Sequence, residues 1–121
     1  MKQIALTIDQ MKRLERLGLN IRDASMYYSY EGVLQTCKSY ELTQEKFKEG
    51  LWKPAYTLQD ILEKLPTVCW IECDTHKKGH RVYNVHYADT QIMWGKSLLE
   101  EAYRMLIWCI ENGYLKIIKT T

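Results

Sequence analysis

The sequence predicts an α+β fold: a mainly antiparallel sheet made of two β-hairpins, packed by about three helices in the order α-β-β-α-β-β-α, with a last strand optional. Three observations carry that prediction. Capping spacings precede apolar residues at helical intervals in three stretches, aromatic and β-branched residues cluster around turn residues in two others, and Gly or Pro punctuates the joins.

The first helix is read in TIDQMKRLERLGL, residues 7–19. Thr7 and Gln10 have capping-box spacing, and Ile8, Met11, Leu14 and Leu17 recur at helical intervals. Gly18 stops it in a Schellman ending that turns Leu19 back toward Leu14. In ASMYYSYEGVLQTCKSY the period changes, and a hairpin is expected with strands near 25–30 and 33–39 around Glu31 and Gly32. ELTQEKFKEGLW, residues 41–52, offers only Leu42 and Phe47 as clear anchors and reads as a connection with one or two helical turns.

AYTLQDILEKLP has the strongest local grammar. Thr57 caps, Asp60 stands at the third helical position, and Leu58, Ile61, Leu62 and Leu65 form one apolar face that Pro66 ends. TVCWIECD and HRVYNVHY then read as a second hairpin joined by THKKG. The long final helix runs from Ser97, with Glu100 in capping-box spacing, to a stop at Gly113, and the apolar tail 114–118 suits a further strand.

Composition sets limits on function. The chain has 121 residues and 46% hydrophobic content, enough for one α+β domain over residues 1–121. Its 17 basic and 15 acidic residues are evenly spread, so there is no global electrostatic footprint for nucleic acid or an anionic membrane. No apolar run is long enough to span a bilayer, and the N-terminus becomes charged too early for a signal-peptide core. A cytoplasmic protein is expected, with its four cysteines as reduced thiols and no cofactor.

The most chemically loaded stretch is CDTHKKGH, residues 73–80. Cys73, His76 and His80 have zinc-like local spacing and are the ligands of the metal-dependent enzyme alternative, in which water fills the fourth position. The second half of a site is missing: Cys69 and Cys73 would stand roughly 13 Å apart on a regular strand, and His80 and His86 roughly 20 Å apart. Thr75, Lys77, Lys78 and Gly79 are hairpin-tip residues, and two lysines beside a dication are unfavourable. The stretch is therefore read as a polar turn. Cys73 with His76 or His80 is also the only visible nucleophile–base pairing.

The predicted strands carry Tyr27, Tyr28, Tyr30, Trp70, Tyr83 and Tyr87 beside a basic tip. That suggests a second alternative, a single-stranded nucleic-acid module on the 76–87 hairpin, with Lys77, Lys78 and Arg81 on phosphates and Tyr83 or Tyr87 stacking on bases.

In the final helix Leu98, Ala102, Met105, Leu106 and Cys109 form one face, and Glu100, Arg104 and Glu111 the opposite stripe. Ile107 and Trp108 flank that stripe, Trp108 four residues beyond Arg104. This flank marks an interaction surface of Ile107, Trp108 and Arg104, covered by residues 41–52 or by a protein partner, a second copy included.

PAYTLQDILEKLP, LLEEAYRMLIWCIENGYL and LGLNIRDASMYY resemble segments of small proteins, without assigned activity, encoded in prophages and mobile elements of gut anaerobic bacteria. The resemblance implies a mobile-element accessory protein and brings no catalytic residues with it. The sequence as a whole points to a small, non-catalytic binding protein.

Overall fold

Helix α1, Ile8–Arg16, starts where Thr7 Oγ1 accepts from Gln10 N at 3.1 Å and Gln10 Oε1 accepts from Thr7 N at 2.9 Å, so both arms of the capping box are closed. Its end is the expected Schellman turn: Gly18 adopts φ +102°, and Leu19 N donates to Leu14 O at 3.1 Å. Met11 and Leu14 supply the buried face.

The computed structural model describes residues 3–75 and 79–115. Its class is α+β, with four helices and two three-stranded antiparallel sheets among the described residues. The contacts of the expected single domain fall into two compact units that divide between Asp60 and Ile61, inside helix α3, Leu58–Lys64.

In the first unit, β1 (Met26–Tyr28) and β2 (Leu34–Thr36) form the predicted hairpin, registered Met26 to Thr36 and Tyr28 to Leu34, with Gly32 at φ +82° in the turn. Strand β3 (Lys53–Ala55) pairs with the other edge of β1, giving the order β2-β1-β3. β3 carries no strand signature: it has three residues, one of them Pro54, and its pairing with β1 is non-local. Residues 41–52 also form more than the one or two turns expected, since α2 occupies Tyr40–Glu49. Only Thr43 and Phe47 of α2 are buried, and Leu42 is exposed, so its apolar pattern is faint even though its local caps, Ser39 and Gly50, are sound.

Two buried polar links tie the loops of this unit. Tyr56 is fully buried and its hydroxyl donates to Asp23 Oδ1 at 2.7 Å. Asp60, also buried, accepts from Thr57 N and from Ser25 N, both at 3.0 Å, and from Ser25 Oγ. Thr57 Oγ1 accepts from Asp60 N in return, which starts α3 as predicted.

In the second unit, β4 (Cys69–Thr75), β5 (Arg81–Tyr87) and β6 (Gln91–Gly95) form a meander, with the register Trp70–His86–Ile92 and Ile71–Val85–Met93. β4 and β5 are the predicted second hairpin. β6 is not among the predicted strands, since QIMWG lacks a polar–apolar alternation and ends on glycine. Helix α4, Leu98–Glu111, packs on β5 and β6 after Ser97 caps Glu100 N, and it ends in another Schellman turn at Gly113, with Tyr114 N donating to Cys109 O at 2.8 Å. Tyr114 and Leu115 lie in no strand, and the rest of the anticipated last strand falls outside the described residues.

Two backbone positions in this unit have opposite tolerances. Ala88 holds φ +45° in the β5–β6 turn, a conformation that costs an L-residue roughly 1–2 kcal/mol. Gly95 lies against the carboxylate of Glu101, which is itself buried and ion-paired with Arg104, so an added Cβ would overlap it. Ala88→Gly is therefore expected to stabilise by about 0.5–1 kcal/mol after the entropy of glycine is deducted. Gly95→Ala is expected to destabilise by about 1–3 kcal/mol through overpacking. Thermal or urea unfolding of the two variants checks both signs.

Candidate functional site

Strand alternation sorts the side chains of the second sheet into two faces. Cys69, Ile71, Cys73, Tyr83, Val85, Tyr87, Met93 and Gly95 share the face that carries α4. Tyr87 belongs to a three-ring cluster, 5.3 Å from Trp108 and 4.7 Å from Tyr114 between centroids. Tyr83 and Tyr87 therefore sit on the helix-bearing face, both half-buried. Arg81 is exposed, while Lys77 and Lys78 lie outside the described residues.

On the flank of α4 read as an interaction surface, the three residues differ in exposure, the Arg104 side chain being 51% exposed and Trp108 half-buried. Ile107 is only 5% exposed, Trp108 packs with Tyr87 and Tyr114, and the Arg104 guanidinium is paired with Glu101. The exposed stripe of α4 is narrower than the helical pattern suggested, because burial extends past the apolar face to Glu101, Tyr103 and Ile107. The expected covers, Phe47 and Trp52, have places in the first unit, Phe47 in its core and Trp52 stacked 3.9 Å from Tyr27.

Of the metal alternative, Cys73 is exposed opposite Tyr83, His80 precedes β5, and His76 lies outside the described residues. Among the described residues no three His, Cys, Asp or Glu side chains come together to hold a metal ion. His86 points to the opposite face of the sheet from Cys73.

That opposite face bears Trp70, Glu72 and Asp74 from β4, Val82, Asn84 and His86 from β5, and Ile92 and Trp94 from β6. Its large apolar groups are open: Trp94 is 65% exposed, Ile92 49% and Trp70 47%. The Trp70 and His86 rings lie parallel at 3.7 Å, a cross-strand stack that buries the imidazole and holds the indole upright. His86 Nε2 is buried without a hydrogen bond, and Glu72 Oε1 is its charged neighbour at 3.5 Å. Asn84 Nδ2 donates to Asp74 Oδ2 at 2.9 Å and to Glu72 Oε1 at 3.2 Å, which gathers both carboxylates around one amide.

No Lys or Arg stands among these eight positions. The face thus combines two tryptophan rings, roughly 12 Å apart from strand spacing and rise, with two clustered negative charges. Phosphates are repelled by that arrangement, whereas ammonium and guanidinium groups are attracted by both parts of it. The sequence signal was present in the even-numbered residues of β4 and β5, but without β6 the second tryptophan and the row it completes were not visible.

β4 also forms an edge of its sheet among the described residues. Ala88 N donates to Val68 O at 3.2 Å, and alternation from that bond directs the N–H and C=O groups of Ile71 and Cys73 away from β5. An extended chain is the natural partner for such an edge. Compared with known protein families, curated proteins and solved structures, the chain matches none. No described helix is long and apolar enough to cross a membrane.

The thiols under the covered face are poorly disposed to react. Burial, and then the neighbouring Cys69, push the Cys109 thiol up to about 12, and burial raises Cys69 as well. The unfolded chain releases these protons near pH 9 while the folded chain keeps them, so their contribution is complete below pH 9 and is lost as pH rises toward 12. Melting temperature is expected to fall over that window, and less steeply in Cys109→Ala than in the parent. Equal slopes would show that the thiol is not the source.

Proposed function

We propose that this chain is a non-catalytic binding protein that accepts an extended basic segment of a protein partner along β4, with lysine or arginine side chains laid over Trp70 and Trp94. The observation that carries the reading is the pairing of exposed indoles with clustered Glu72 and Asp74 on a face whose eight strand positions include no Lys or Arg. Backbone pairing along the strand edge supplies affinity, and the carboxylates and rings select charge.

A second copy is the less favoured occupant. Antiparallel pairing of two β4 strands about their centre sets Glu72 opposite Glu72, which like-charge repulsion disfavours. A cytoplasmic setting is part of the proposal, and the four free thiols agree with it. So does the mobile-element role that the sequence resemblance implies.

The test is a titration of the full chain, followed by tryptophan fluorescence, with Lys- and Arg-containing extended peptides, acidic peptides of equal length and a single-stranded oligonucleotide. Only the basic peptides are expected to bind, with affinity falling as salt rises and falling about five- to tenfold in Glu72→Gln combined with Asp74→Asn. Trp94→Ala is expected to cost a similar factor. Equal binding of acidic and basic peptides, preference for the oligonucleotide, or a concentration-dependent dimer that Trp70→Ala dissolves would overturn the reading.

A further inference from the structure

Helix α4 packs on β5 and β6 and leaves β4 beyond Cys69 uncovered on the same side of the sheet. Val85 of β5 is fully buried there, yet Ile71, its direct partner on β4, is 37% exposed, and Cys73 is exposed as well. The β4 positions on this side, Cys69, Ile71, Cys73 and Thr75, carry no charge. β4 therefore presents an uncharged ledge on one side and the carboxylates of Glu72 and Asp74 on the other. An added strand would cover that ledge and continue the core row of Ile71, Val85 and Met93 outward.

The open face offers the same strand a second set of contacts. The Trp70 ring lies parallel to His86 of β5 at 3.7 Å, so its other side looks away from β5 toward the free edge. A cation in line with Trp70 would rest on that side of the indole. Glu72 and Asp74 follow at two-residue spacing. Side chains of an added strand alternate with the same period in either chain direction. Those in line with Trp70, Glu72 and Asp74 fall on the charged side, and those in line with Ile71 and Cys73 fall on the ledge.

We propose that the segment taken up by β4 is itself two-sided, with Lys or Arg at three alternate positions and apolar residues at the two between them. The inference rests on the proposed binding of a basic segment along β4 and adds the order of residues that the partner must have. An unbroken basic run would set charged groups against Ile71 and Cys73, where they lose water and meet no counter-charge. The alternating order places each cation on an indole or a carboxylate and each apolar side chain on the ledge.

The experiment is a titration of the full chain with two peptides of one composition, an alternating Lys-Val-Arg-Val-Lys core and a blocked Lys-Lys-Arg-Val-Val core, each between Gly-Ser flanks. The alternating peptide is expected to bind about five- to tenfold tighter. Ile71→Thr keeps a β-branched side chain at an exposed position, and it should remove most of that preference while leaving the affinity of the blocked peptide unchanged. Methylating the amide nitrogens of the two valines, or those of the three basic residues, should abolish binding for one set only, because every second residue of an added strand bonds to the edge. Equal affinity of the two peptides, a preference that Ile71→Thr leaves intact, or equal effects of the two methylations overturns the inference and leaves basic-segment binding in place. Failure of both peptides to bind overturns that reading and this inference with it. A dimer of the chain alone that Ile71→Thr dissolves would give the ledge to a second copy and overturn the inference as well.

Discussion

Val85 and His86 are neighbours on β5 and point to opposite faces, and that alternation governs the second unit. Val85 is fully buried on the face that carries α4. Once its row with Ile71 and Met93 faces the helix, the row of Trp70, His86 and Ile92 must face the other way. A one-residue slip would exchange the two sets, burying Glu72 and Asp74 under the helix at prohibitive desolvation cost. The charges on the open face therefore specify register.

Local devices at the ends of α4 keep that arrangement in place. The Schellman turn at Gly113 brings Tyr114 back over the last turn, where its ring meets Tyr87 and Trp108. At the other end Gly95 makes room for the Glu101 carboxylate, so the β6–α4 junction closes around a buried ion pair that a larger residue would disturb. The first unit is built differently. Its polar links, Tyr56 to Asp23 and Asp60 to Ser25, join loops that the short strands leave loosely tied, while α2 rests on just Thr43 and Phe47. A helix held by two buried residues leaves cavities beside it.

The capping box at Thr7, the reciprocal cap of Thr57 and Asp60, the glycine stops at 18 and 113 and the turn at Gly32 were legible because each is decided within a few residues. β3 and β6 were not, since three- and five-residue strands gain their stability from partners distant or unannounced in the chain. Missing β6 had a functional consequence: Trp70 looked like one of several packed aromatics, and Trp94 had no sheet to belong to. The burial of Ile107 is out of reach of the pattern for the converse reason, because a helical projection gives angles but not the width of the arc that neighbours cover.

Local hydrogen bonding and composition suffice for the α+β class, the principal helices with their caps, both hairpins and a net charge of only +2, and all of these are legible in the chain before it folds. Which aromatic residues are packed and which are open, the meeting of Glu72 and Asp74 at Asn84, and the pocket that Arg22, Lys38 and Thr43 share come from pairing and packing. Those are properties of residues remote in the chain made adjacent by pairing and packing, and no local rule encodes them.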